Sequence, residues 1–197
     1  MLKIGLIVGS TRPNRFADVP AQWIVEGAKA HPGLQIEVLD LREQNLPLFD
    51  EPASPLFTGG KYSHPEAEAW RRKIGALDGF IATVAEYNHG PTAVLKNAFD
   101  SAFYEWNRKP IAFVGYGGVG GARAIEHLRG VAVELQMAPL KHEVNVGMEP
   151  FLGILTQGKS LDDYPFLVQS RTNVFEQLAW WGAALKAARQ ADEAKAA

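Results

Sequence analysis

The stretch Ile4-Gly5-Leu6-Ile7-Val8-Gly9-Ser10-Thr11-Arg12-Pro13-Asn14-Arg15-Phe16 decides how the chain folds. Five uncharged, mostly apolar residues give way at Gly9-Ser10 to a small, polar, basic loop. An apolar run without alternation fits a strand covered on both faces, as in a parallel sheet. The same pattern recurs at Phe80-Ile81-Ala82-Thr83-Val84 and Pro110-Ile111-Ala112-Phe113-Val114. Residues 34–41 alternate as a second strand, and residues 140–146 read as a fifth. Between them the spacing predicts helices. One covers residues 18–30, with Trp23, Ile24, Gly27 and Ala28 on one face and His31-Pro32-Gly33 as its stop. Others cover 65–74, opened by His64-Pro65-Glu66, then 92–103, 122–137 and 170–189, with residues 191–197 fraying. The proline- and glycine-bearing segment 45–62 and the segment 147–165 read as loops.

Strands alternating with helices, with no hairpin signal between them, imply β-α-β units. The expectation is one doubly wound α/β domain spanning residues 1–197, with five parallel strands and helices on both faces. Ligands in such sheets bind beyond the carboxyl ends of the strands, where the strand order reverses. The loops after strands one, three and four are therefore the candidates.

Composition restricts the chemistry available to them. Among 197 residues there is no cysteine and there are five histidines, so disulfides, thiolate nucleophiles and cysteine-held metals are excluded. Twenty Lys and Arg against 22 Asp and Glu give a net charge of −2, which argues against a nucleic-acid partner. No stretch approaches the roughly 20 apolar residues of a membrane span, and the expected location is the cytoplasm. Such a chain does little chemistry or borrows it from a cofactor.

In the first loop, backbone amides at a helix start, the hydroxyls of Ser10 and Thr11, and the guanidinium groups of Arg12 and Arg15 suit an anion such as a phosphate. In the third-strand loop, Glu86, Tyr87, Asn88 and His89 pair an aromatic with edge-directed polar groups, which suits a flat heterocycle. Glu86 and His89 lack a further ligand at helical spacing, so no metal is expected. The fourth-strand loop holds Gly-x-Gly-x-x-Gly at Gly115, Gly117 and Gly120. It reads as a dinucleotide fingerprint with Glu143 as ribose acid, as a close backbone approach to a planar ring, or as a plain turn.

Taken in order, Gly9-Ser10-x-Arg12, then Glu86-Tyr87-Asn88 with Leu95-Lys96-Asn97-Ala98-Phe99-Asp100, then Gly117-Gly118-x-Gly120-Gly121-x-Arg123-Ala124 resemble the NADPH-dependent FMN reductase family. The resemblance covers roughly residues 3–146. It implies a flavodoxin-like fold with strand order 2-1-3-4-5, bound FMN, reduction by NAD(P)H, and flavin, quinone or similar acceptors. It also implies a homodimer or homotetramer. By matching positions, Ser10, Arg12, Arg15 and Phe16 would hold the FMN phosphate and close the loop. Glu86, Tyr87 and Asn88 would line the isoalloxazine edge, with Gly117, Gly118, Val119 and Gly120 beneath it. No side chain need act as acid or base, since the flavin carries the hydride. The chain departs from the family at Ala85, commonly Pro, and at Arg15 and Ala17, often Ser and Asn. Two other readings are a flavodoxin-type electron carrier without NAD(P)H turnover and a nucleotide-binding regulator. The aromatics Phe103, Tyr104, Trp106, Trp180 and Trp181 fit either core packing or an oligomer interface.

Overall fold

In the computed structural model, which describes residues 1–196, the chain runs as follows. The strands are β1 (Leu2–Val8), β2 (Leu34–Asp40), β3 (Gly79–Ala85), β4 (Pro110–Tyr116), β5 (Ala138–Pro139) and β6 (Val144–Val146). The helices are α1 (Asp18–Ala28), α2 (Leu41–Gln44), α3 (Pro55–Thr58), α4 (Pro65–Gly75), α5 (Ala93–Asp100), α6 (Ala122–Glu134), α7 (Met148–Gln157) and α8 (Pro165–Ala196). The sheet is parallel throughout, in the order β2-β1-β3-β4-β5, with β6 also paired to β4. This is the flavodoxin-like order, and it reverses between β1 and β3.

The central strands are uncharged because both faces are covered. All seven residues of β3 and of β4 are buried. One face packs Ile4, Leu6, Ile81 and Val114 against α1 and α8 through Trp23, Ile24, Val174 and Phe175. The other packs Ile7, Phe80, Ala82 and Phe113 against α4, α5 and α6 through Trp70, Leu95, Phe99 and Leu128. Trp106 is fully buried in this second layer, edge-on to Phe80 and Trp70, which settles its place in the core. Tyr104, Trp180 and Trp181 remain exposed.

Several boundaries differ from the sequence expectation. The fifth strand splits in two. Pro139 lacks a ladder donor, and Arg129 takes the carbonyls of Leu140 (2.6 Å) and Lys141 (3.2 Å) while pairing with Glu143 (2.6 Å). Segment 147–165 is not a loop but carries α7, whose Pro150 falls in the first turn, where no intrahelical donor is lost. Segment 45–62 is irregular except for α3, capped by Ser54 and ended by the left-handed Gly59. Helix α8 begins at Pro165 and continues to Ala196, through the described part of the tail expected to fray; residue 197 lies outside the described residues. Helix α5 stops at Asp100, short of Phe103.

At the amino ends of the strands the molecule is tied by charge. Asp78 accepts from the Lys3 amide (3.0 Å), Lys186 (2.8 Å) and Arg189 (3.3 Å), binding α8 to β1 and β3. Lys109, almost fully buried, donates to the last carbonyls of α4, Ile74 (2.7 Å) and Gly75 (3.1 Å). A cation at a helix carboxyl end is favoured by the helix dipole.

Candidate functional site

A cleft of about 440 Å³ opens at the carboxyl ends of β1, β3 and β4, at the reversal of strand order. The first loop leaves β1 at Gly9, just before the lining residue Ser10. The Gly9 amide donates to Thr83 Oγ1 (3.0 Å), and its carbonyl accepts from Thr92 Oγ1 (2.6 Å). A Cβ at Gly9 would lie 2.2 Å from the Thr83 carbonyl oxygen, so only glycine lets the first loop leave the sheet here.

The first loop then runs past the cleft under the control of two arginines. Arg15 donates to the Ser10 carbonyl (2.7 Å), forms a fork with Asp40 at 2.6 and 2.5 Å, and reaches Asp18 at 2.7 Å. The hydrogen bonds that Arg15 donates to Asp40 raise its guanidinium above the ordinary pKa. Arg15 in turn holds the Asp40 carboxyl below the usual range. Arg42, which sequence reading passed over, donates to the carbonyls of Arg12 and Pro13. Arg12 itself has no carboxylate partner among the described residues and lies 6.0 Å from the centre of the Tyr87 ring. Helix α1 reaches the same cleft at Val19; no side chain caps its start, the Val19 amide is taken by the Phe16 carbonyl (3.0 Å), and Pro20 has no amide. A guanidinium without a carboxylate partner, close to the positive end of a helix, suits an anion.

Aromatic rings wall the cleft. Phe16 packs on Tyr116 (5.3 Å between ring centres) and Phe151 (4.5 Å). Tyr116, at the end of β4, is buried, and burial pushes its phenol pKa up, so the hydroxyl stays protonated. Tyr87 faces the same space, its hydroxyl 3.3 Å from Ser10 Oγ. The carboxylate of Glu86 turns away to cap α6. It accepts from Arg123 Nε (2.6 Å) and the Arg123 amide (3.2 Å). Burial alone would raise the Glu86 pKa, but Arg123 and the helix amides outweigh it and hold the carboxyl low.

The structure thus brings Ser10, Arg12, Arg15, Phe16, Glu86, Tyr87 and Gly117 to one cleft. Asn88, Gly118, Val119 and Gly120 do not line it. Asn88 occupies a turn after β3, and Gly118 and Val119 are exposed in the loop after β4. Gly120 serves packing: its φ is +66° and a Cβ would meet Asn145 at 2.7 Å. Six lining residues were not among the candidates: Asn14, Val19, Ala85, Tyr116, Phe151 and Leu155. Tyr116 had been read into the glycine loop although it alternates with Val114 along β4. Phe151 and Leu155 stand one helical turn apart, a spacing that announces α7. No group of three or more His, Cys, Asp or Glu side chains able to hold a metal occurs among the described residues. Nor is any described helix long and apolar enough to cross a membrane.

FMN fits this donor set, an aromatic-walled cleft beside the start of α1 with Arg12 free of any carboxylate partner. Comparison with known proteins agrees. Over 135 residues, 68% of either chain, the sequence is 38% identical to an NAD(P)H-dependent FMN reductase of Schizosaccharomyces pombe. Over 177 residues, 87% of this chain and 86% of the relative, it is 35% identical to an NAD(P)H:quinone oxidoreductase of Solanum tuberosum. In fold it resembles a flavoenzyme NAD(P)H:(acceptor) oxidoreductase of Paracoccus denitrificans, with a TM-score of 0.71 and 19% identity over 93% of this chain and 98% of that one. Residues 2–150 match the sequence profile described as NADPH-dependent FMN reductase, and the chain belongs to that family.

Proposed function

We propose that the cleft holds FMN and that the chain passes hydride from NAD(P)H to flavins, quinones or similar small acceptors. The observation that carries this reading is an Arg12 without a carboxylate partner in an aromatic cleft at the switch of strand order, beside the start of α1. When bound, the flavin supplies the hydride chemistry, while the protein supplies binding and orientation. Ser10 and Arg12 hold the phosphate. Arg15 holds the loop by its own backbone and by Asp40, with Phe16 as the wall beneath. Tyr87 addresses the ring edge, Glu86 fixes the two ring-side loops together through Arg123, and Gly117 brings the backbone of the fourth-strand loop to the cleft.

The exposed apolar residues Met148, Leu152 and Leu155 on α7, beside the cleft, support a homodimer or homotetramer in which a second copy covers that face. The cytoplasm, which supplies reduced nicotinamide, is the proposed setting.

The test is direct. The purified protein is titrated with FMN by absorbance, and NADPH consumption is followed with a quinone. Saturable FMN uptake with quinone-dependent NADPH oxidation is expected. Absence of FMN uptake would overturn the reading. FMN uptake without nicotinamide oxidation would leave the electron carrier instead. Light scattering on the eluted protein reads the oligomer.

A further inference from the structure

Tyr116 is the last residue of β4, and the pleat of the strand decides where its side chain goes. Successive residues face opposite sides of a sheet. Ala112, Val114 and Tyr116 accordingly pack on the side of α1 and α8, and Ile111 and Phe113 on the other. The first loop rises from the same side as Tyr116. The phenol ring lies against Phe16 of that loop and joins Val8, Ala17 and Val146 in one apolar layer. Only 7% of the residue is exposed, yet it lines the cleft.

The hydroxyl of that ring has a proton and no protein oxygen to spend it on. Burial, with the Tyr87 phenol beside it, raises its pKa; Ser10 and Arg15 pull the other way, and burial wins. Ser10 Oγ, which it approaches, is already shared with the Tyr87 hydroxyl (3.3 Å). No carbonyl or carboxylate accepts from Tyr116 among the described residues. The sealed side-chain oxygens without a partner belong there to Tyr62 and Tyr164, not to Tyr116, so its hydroxyl opens on the cleft. Positive charge prevails around it. Arg12 has no carboxylate partner among the described residues, and Glu86, the one carboxylate lining the cleft, is turned to Arg123. A buried donor without an acceptor, in such surroundings, calls for an anionic oxygen.

We propose that the Tyr116 hydroxyl donates a hydrogen bond to a phosphate oxygen of the flavin, beside Ser10 and Arg12, and so selects the phosphorylated cofactor over riboflavin. The inference rests on the cofactor reading above. It gives the phosphate a partner from β4 in addition to those of the first loop. Riboflavin leaves the phenol unpaired where FMN satisfies it, and a site built to bond a group rejects the analogue that lacks it.

The experiment compares the parent protein with Tyr116→Phe, which removes the hydroxyl and keeps the ring against Phe16. Each apoprotein is titrated with FMN and with riboflavin, and binding is read from the quenching of flavin fluorescence. The ratio of FMN affinity to riboflavin affinity should fall about 10- to 100-fold in the variant, the range for a hydrogen bond to a charged group. Riboflavin affinity should stay that of the parent. A ratio equal to the parent's would overturn the proposal, whether neither affinity changes or both fall together; an equal fall would place the hydroxyl at the ring. The parent carries a check of its own that does not depend on the variant folding. It should bind FMN more tightly than riboflavin by at least about 10-fold, and equal affinities would overturn the proposal by themselves. A parent that takes up neither flavin would instead overturn the underlying cofactor reading, and this proposal with it.

Discussion

Arg12 and Arg15 sit three residues apart in the same loop and have opposite fates. Arg15 is saturated by Asp40, Asp18 and a backbone carbonyl, so its charge is spent on shaping the loop. Arg12 is left facing the cleft. Replacing Arg12 by Ala should therefore weaken FMN binding by about 1.5–3 kcal/mol, the range for a hydrogen bond to a charged group. Flavin titration checks this, and an unchanged affinity would mean the phosphate sits elsewhere. The glycines differ in the same residue-by-residue way. At Gly118, which does not line the cleft, an added Cβ meets only Met148 Cε, at 3.7 Å, so Gly118→Val should keep both its circular dichroism and its flavin affinity, which titration checks. At Gly120 the positive φ and the Asn145 contact leave no room, and Gly120→Ala should cost about 1–3 kcal/mol in urea unfolding. Sequence reading grouped these glycines as one motif. Which of them faces a ligand and which faces Asn145 depends on β6, whose position no local spacing encodes.

At the scale of elements, the Arg15–Asp40 fork joins the first loop to the end of β2. Because folding holds the Asp40 carboxyl below its unfolded value of about 3.9, the contact is fully present above that pH. It is lost as pH falls through the lowered folded value. Thermal melts of the parent and of Asp40→Asn should differ by about 1.5–3 kcal/mol near neutrality and converge in strong acid. A constant gap down to the acid end would deny the fork its role. The elements were unequally legible. Strands β1, β3 and β4 announce themselves because both of their faces are covered, which leaves uncharged runs. The split of the fifth strand into β5 and β6 does not, because Arg129 takes the carbonyls of Leu140 and Lys141 from 11 and 12 residues away in sequence. Helix α7 was hidden by Gly147, Pro150, Gly153 and Gly158. Yet Gly153 has a tertiary reason: a Cβ there would lie 2.0 Å from the Tyr164 hydroxyl.

Across the whole molecule, binding and bracing occupy opposite ends of one sheet. The carboxyl end carries the cleft. The amino end carries Asp78, with Lys186 and Arg189 reaching it from α8. Burial works against the Asp78 carboxylate, but Lys186, the Lys3 amide and Arg189 together hold its pKa low. Removing it leaves two partly buried cations without their partner. Asp78→Ala should lower stability by about 3–5 kcal/mol while FMN affinity remains that of the parent. Loss of both in a protein that is still folded would show that the two ends are coupled. The sheet order could be inferred only through the resemblance, since alternating strands and helices allow several doubly wound orders. The tie between α8 and Asp78 joins residues 108 and 111 positions apart, beyond any pattern in the sequence.

The Arg15–Asp40 fork also makes the sheet's edge report on a cleft that β2 does not line. β2 pairs with β1 alone, so its outer amides exchange with solvent as the strand frays. A ligand that steadies the first loop steadies Arg15, and through Asp40 it steadies the end of that strand. Deuterium uptake along Leu34–Asp40 should slow when FMN is added, and the slowing should vanish in Asp40→Asn. The edge strand would then serve as a built-in gauge of cofactor occupancy, readable without following the flavin itself.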